Sequence, residues 1–138
     1  AIQEDAQAFN RVMEVFKLPK DTDEEAASRL QAIEEATLAA ALVPLETARL
    51  AVEVIELAAR CVAAGNLNAI SDGATGAALA RAALTGAGYN VRINVASLHD
   101  QTRAEPLLVA LRALEQQAEA LEAQIRQNLV ERGGMPLP

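Results

Sequence analysis

A chain of 138 residues with 51% hydrophobic, 22% charged and only 2% aromatic residues can bury one core, closed by near helix approach rather than by large rings. Its formal net charge of −7 excludes the basic footprint that nucleic acid requires and disfavours an anionic membrane surface. Ten of the twelve basic residues are Arg, which leaves single guanidinium contacts to an anion open.

The chain opens inside a helical pattern: Ile2, Ala6, Phe9, Met13 and Phe16 recur at steps of four and three, and Leu18-Pro19 ends that helix. Thr22 with Glu25 three residues on is a capping box that starts a second helix. Ala26, Leu30, Ile33, Thr37 and Ala41 share one face of it. Pro44 then removes a backbone donor, which predicts a kink, because Leu45, Ala48, Val52, Ile55, Ala59 and Val62 continue the pattern. Glu46, Arg49, Glu53, Glu56 and Arg60 interrupt this longest apolar run, so it does not read as a membrane span, and no signal-peptide pattern precedes it. The single cysteine, Cys61, reads as a small core residue in a reducing compartment.

Gly65-Asn66 stops the second helix, and Ser71 or Asp72 caps the third. Gly73, Gly76, Ala80, Ala83 and Ala87 give the third helix a small-residue face for close approach. Residues 89–97 alternate like a strand, yet a lone strand has no partner here, so the helical reading is preferred. A polar turn over 100–105 leads to Pro106 in the first turn of the last helix. There Leu107, Leu111, Leu114, Ala118, Leu121 and Ile125 form a heptad seam, either a core edge or a dimer interface. The tail from Gly133 to Pro138 reads as loose. These elements predict an all-α antiparallel bundle of about five helices, one kinked at Pro44, in a single domain over residues 1–138.

Chemistry concentrates between Gly65 and Asn94. A single histidine, His99, and the absence of a Cys cluster leave no multi-histidine or thiolate metal site. Ser97, His99 and Asp100 are near in sequence, which is no evidence of triad geometry. Asn68, Ser71 and Asp72 surround a helix start, where ordinary capping competes with binding of a polar heterocycle. On a helix, Asn90 and Asn94 lie one turn apart on the same face and suit either a heterocycle edge or neighbouring backbone groups. Arg92 and Lys20 are solvated cations or anion contacts.

The ordered set Glu4-Asp5, Ala8-Phe9, Leu18-Pro19-Lys20, Pro44-Leu45, Gly65 to Asp72 and Tyr89 to Asn94 resembles the cyclodeaminase/cyclohydrolase family, up to about Asp100. That resemblance implies an all-α cytoplasmic homodimer acting on tetrahydrofolate derivatives without a permanently bound cofactor. Two reactions are implied as alternatives: hydrolysis of 5,10-methenyltetrahydrofolate to 10-formyltetrahydrofolate, or cyclodeamination of 5-formiminotetrahydrofolate with loss of ammonia. It also implies proton transfer by Asp72, ligand positioning by Asn68, Ser71, Asn90 and Asn94, and contact of Arg92 or Lys20 with the glutamate tail. The family's upstream segment with a Pro-Gly-Gly-Gly-Ser turn is missing from this sequence. The competing class is a non-catalytic helical module that assembles through Leu111, Leu114 and Leu121.

Overall fold

Four helices carry the fold in the computed structural model, which describes residues 2–136 and of Ile2 the backbone alone. They are α1 (Ile2–Val15), α2 (Asp23–Ala64), α3 (Ile70–Ala96) and α4 (Glu105–Glu131), with 3-10 turns at Leu67–Ala69 and Gln101–Arg103. All regular structure among the described residues is helical, as the composition requires. The count is four α-helices rather than about five, because residues 89–96 continue α3 instead of forming an element of their own, and α2 runs through Pro44 as one element of 42 residues, as expected. Residues 89–97 follow the helical reading as far as Ala96.

The chain divides into two compact units, and α2, α3 and α4 each contribute to both. One unit comprises residues up to Thr47 with Ala87–Ala110. In it the capping box forms as expected: the Glu25 N–H donates to Thr22 Oγ1 (3.2 Å), and Glu25 Oε2 accepts from the Thr22 N–H (3.2 Å). Arg29 ties the end of α1 to α2. Its Nη2 donates to the Phe16 carbonyl at 3.0 Å, and its guanidinium lies 5.7 Å from the Phe16 ring centroid. The apolar residues of α1 are largely uncovered, Phe9 being 62% exposed; the placement of Ile2 on that face lies outside the described side chains. The core of this unit is made by Ala36, Ala41, Val91, Val95, Leu98 and Ala104.

Glu34 is buried there in the same register as Thr37 and Ala41, and its carboxylate has a clear purpose. It accepts from the backbone N–H groups of His99 and Asp100, which satisfies the chain as it leaves α3. Beside it Arg103 Nη2 meets Glu35 Oε1 at 2.9 Å. Asp100 caps the following 3-10 turn, accepting from the Thr102 N–H (3.0 Å) and hydroxyl (2.6 Å). These bonds, the hydroxyl first, hold its carboxyl below the usual aspartate range.

The other unit comprises Ala48–Gly86 with the residues from Leu111 on. Val52, Ile55 and Val62 of α2, Leu84 of α3, and Leu111 and Ala118 of α4 are nearly or fully inaccessible. Of the heptad seam, Leu111, Ala118 and Ile125 are buried in this unit's core, whereas Leu114 and Leu121 are half-buried. Cys61, in contrast, is exposed and not part of the core. Arg81 of α3 reaches α4 at the Glu115 carbonyl (3.3 Å) and the Glu122 carboxylate (3.7 Å). Arg132 donates to the carbonyls of Val62 and Gly65, which lack helical partners at the end of α2.

The described part of the tail is not loose. The N–H groups of Gly133, Gly134 and Met135 return to carbonyls of α4, and Gly134 adopts a left-handed φ of 62°. Residues 137 and 138 lie outside the described chain.

Candidate functional site

Helix α2 ends at Ala64, and the next position accepts only glycine, because a Cβ there would stand 2.4 Å from the Cys61 carbonyl oxygen. Asn66 then takes an extended conformation, and its side chain accepts from the Asn68 N–H at 3.0 Å. That Asx cap closes the turn Leu67–Ala69, which runs directly into α3 at Ile70. Ser71 and Asp72 therefore stand inside the first turn of α3, and the capping expected of them falls to Asn66. Ser71 uses its carbonyl within the helix, accepting from the Thr75 hydroxyl at 2.9 Å. Asn68, Ser71 and Asp72 are all exposed, with the Asp72 carboxylate at the positive end of a 27-residue helix.

Asn90 and Asn94 do share a face near the far end of the same helix, Asn90 exposed and Asn94 half-buried. The Asn94 carbonyl ends the helix by accepting from the Ser97 hydroxyl (2.7 Å) and N–H (3.2 Å). Arg92, exposed, points off that face, since two residues on a helix turn by about 200°. Lys20 is exposed in the connection between α1 and α2.

The candidate residues thus form two clusters rather than one. Asp72 and Asn90 are separated by eighteen residues of a single helix, about 27 Å along its axis at ~1.5 Å per residue. No single heterocyclic ring touches both from one chain. The triad is absent as well: Ser97 donates to Asn94, and Asp100 is engaged by Thr102. Among the described residues no group of three or more His, Cys, Asp or Glu side chains is placed to hold a metal ion. No helix among them is long and apolar enough to cross a membrane.

Two shallow hollows escaped the sequence reading. One of about 320 Å³ is lined by Leu18, Pro19, Glu24, Glu25, Ser28 and Arg29. The other, of about 430 Å³, lies between α2 and α4 and is lined by Glu56, Ala59, Arg60, Ala63, Leu121 and Gln124. Neither contains a candidate site residue. Glu34 was also missed, although a carboxylate in phase with Thr37 and Ala41 is the pattern that marks it.

An all-α protein whose polar chemistry is carried by one long helix and the turn before it is the class that these observations define. Residues 1–113 match the family model described as Formiminotransferase-cyclodeaminase, and the chain belongs to that family. It is 41% identical over 128 residues to a methenyltetrahydrofolate cyclohydrolase of Methylorubrum extorquens, covering 93% of this chain and 62% of that protein. It is 36% identical over 119 residues to the formimidoyltransferase-cyclodeaminase of Gallus gallus, covering 83% of this chain and 21% of that one. Its fold is similar to that of a formiminotetrahydrofolate cyclodeaminase from Thermotoga maritima, with a TM-score of 0.77 at 26% identity over 91% of this chain and 59% of that chain. The sequence therefore spans about three fifths of the cyclohydrolase and about a fifth of the bifunctional enzyme.

Proposed function

We propose that this chain serves folate one-carbon metabolism as a methenyltetrahydrofolate cyclohydrolase. The observation that carries the reading is the 41% identity over 93% of the chain to a protein of that name. Water adds to the amidinium carbon of 5,10-methenyltetrahydrofolate, giving a tetrahedral carbon between two nitrogens. Cleavage of its bond to N5 leaves 10-formyltetrahydrofolate. The exposed Asp72 carboxylate takes one proton from the attacking water and returns it to N5 as that bond breaks, while the remaining hydroxyl proton passes to solvent as the formyl C=O forms and carries away the amidinium charge. Asn68 and Ser71 orient the reacting end, and the Asn90–Asn94 amide pair reaches the donor and acceptor edge of the pterin from a second copy of the chain. Arg92 or Lys20 meets the glutamate tail, a local positive charge that a chain of net charge −7 needs for an anionic substrate.

Cyclodeamination of 5-formiminotetrahydrofolate is the second reading, favoured by the likeness to the Thermotoga maritima structure. It passes through the same kind of tetrahedral carbon and expels ammonia. A cytoplasmic setting, a homodimer and the lack of a resident cofactor belong to both readings.

Loss of the near-ultraviolet absorbance of 5,10-methenyltetrahydrofolate, followed against a no-protein control, tests the first. Asp72→Asn is expected to lower turnover by about 10²–10⁴-fold with helix content unchanged. Unchanged turnover in that variant removes Asp72 from the reaction. Ammonia release from 5-formiminotetrahydrofolate by a chain inert toward the methenyl compound selects the second reading.

A further inference from the structure

The strand-like alternation over residues 89–97 has its cause in two apolar faces on one stretch of helix. Val91 and Val95 are buried, at 0% and 3% exposure, and fix the inner side of α3, whereas Tyr89 and Ile93 are 68% and 69% exposed. The exposed pair lies one turn apart, and so does the Asn90–Asn94 pair. At about 100° per residue the two rows run side by side, and Ile93, three residues after Asn90, is its neighbour on the helix surface. All four residues belong to the same compact unit. This part of α3 therefore presents a strip that is apolar along one side and amide along the other, on a backbone held from behind by a closed core.

Rings are scarce in this chain, so the place of this one carries information. There are three aromatic residues, one Tyr and two Phe. Phe16 lies under the Arg29 guanidinium, and Phe9 stands on α1. Tyr89 is the only aromatic residue of α3, and it immediately precedes the first of the two amides. The core gains little from a side chain so exposed.

A reduced pterin offers two kinds of surface. The edge of its pyrimidine ring alternates donors and acceptors, which two carboxamides can meet. Its flat face has no hydrogen bond to make, and it gains by leaving water for another ring. Amides alone leave that face solvated. A phenol ring beside them, with an aliphatic side chain closing the gap, completes the set.

We propose that Tyr89 is a substrate-contacting residue whose ring stacks on the face of the pterin, while Asn90 and Asn94 engage its edge and Ile93 covers its flank. The assignment rests on the folate reading above and holds for either reaction, since both substrates carry the same pterin.

The test exploits the single tyrosine. The 138-residue chain labelled with carbon-13 at tyrosine gives one set of ring signals, assigned without a variant. It is titrated with 5-formyltetrahydrofolate, which carries the pterin and is the substrate of neither reaction, and the binding constant is taken by calorimetry. An upfield ring-current shift of the Tyr89 signals on saturation is expected. Tyr89→Leu is expected to raise Kd about tenfold at unchanged helix content, and Tyr89→Phe, which keeps the ring, to recover most of that loss. The same ratio is expected in KM for 5,10-methenyltetrahydrofolate, with the loss in KM rather than in kcat.

Saturable binding with the Tyr89 signals unmoved, or with Tyr89→Leu binding as tightly as the unsubstituted chain, overturns the contact and leaves the folate reading standing. A loss in Tyr89→Phe as large as in Tyr89→Leu assigns the effect to the hydroxyl and overturns the stacking. An unsubstituted chain that neither binds this folate nor turns over the methenyl compound overturns the contact and the folate reading together.

Discussion

Gly73 and Gly76 stand three residues apart on α3 and meet opposite surroundings. A Cβ at Gly73 would come within 3.0 Å of Val62 Cγ2 and 3.7 Å of the Ala58 carbonyl, whereas one at Gly76 meets open space. The same division runs along the helix, with Leu84 at 0% exposure inside and Leu79 at 70% outside. Residue type does not separate these faces, since both are built from Gly, Ala and Leu. The inner face is small because α2 lies against it. The outer face is equally small, although a Cβ at Gly76 would meet nothing within 4 Å.

The largest test of that contrast is the leucine pair. Leu84→Ala leaves a cavity in a closed core and is expected to cost about 2–5 kcal/mol in denaturant unfolding. Leu79→Ala, at a position 70% exposed, is expected to change stability by no more than about 0.5 kcal/mol. Comparable losses in both would remove the distinction between the faces.

The glycine pair sharpens the comparison at a smaller scale. Helix propensity favours alanine by about 1 kcal/mol at either position, so that contribution cancels between the two variants. The remaining difference isolates crowding at Gly73, where the fully buried, β-branched Val62 has little freedom to yield. Gly76→Ala is expected to unfold later than Gly73→Ala by about 1–3 kcal/mol. An equal midpoint for the two variants would mean that α2 moves aside.

Local chemistry was legible wherever neighbouring residues decide it. The Thr22–Glu25 box, the stop at Gly65 and the shared face of Asn90 and Asn94 all depend on spacing within a turn or on one periodic phase. The reading failed where a distant element decides. Cys61 lies in an apolar run but on the exposed side of α2, because the phase of a pattern does not say which side is covered. The small-residue face of α3 was drawn through Gly73, Gly76, Ala80, Ala83 and Ala87; Gly73, Ala80 and Ala87 are covered, but burial continues through Ala77 and Leu84 rather than through Gly76 and Ala83. The cap was given to Ser71 or Asp72, but a 3-10 turn that starts at Asn66 displaced it.

The sequence by itself determined that this protein is helical, where most of its helices start and stop, and which residues carry polar chemistry, because hydrogen-bond capping and side-chain periodicity act over three or four residues. Only the tertiary structure decided which face of each helix is covered and that Asp72 and the Asn90–Asn94 pair stand at two stations of one helix. Burial and separation are properties of whole helices packed against one another, and a short window of sequence does not contain them.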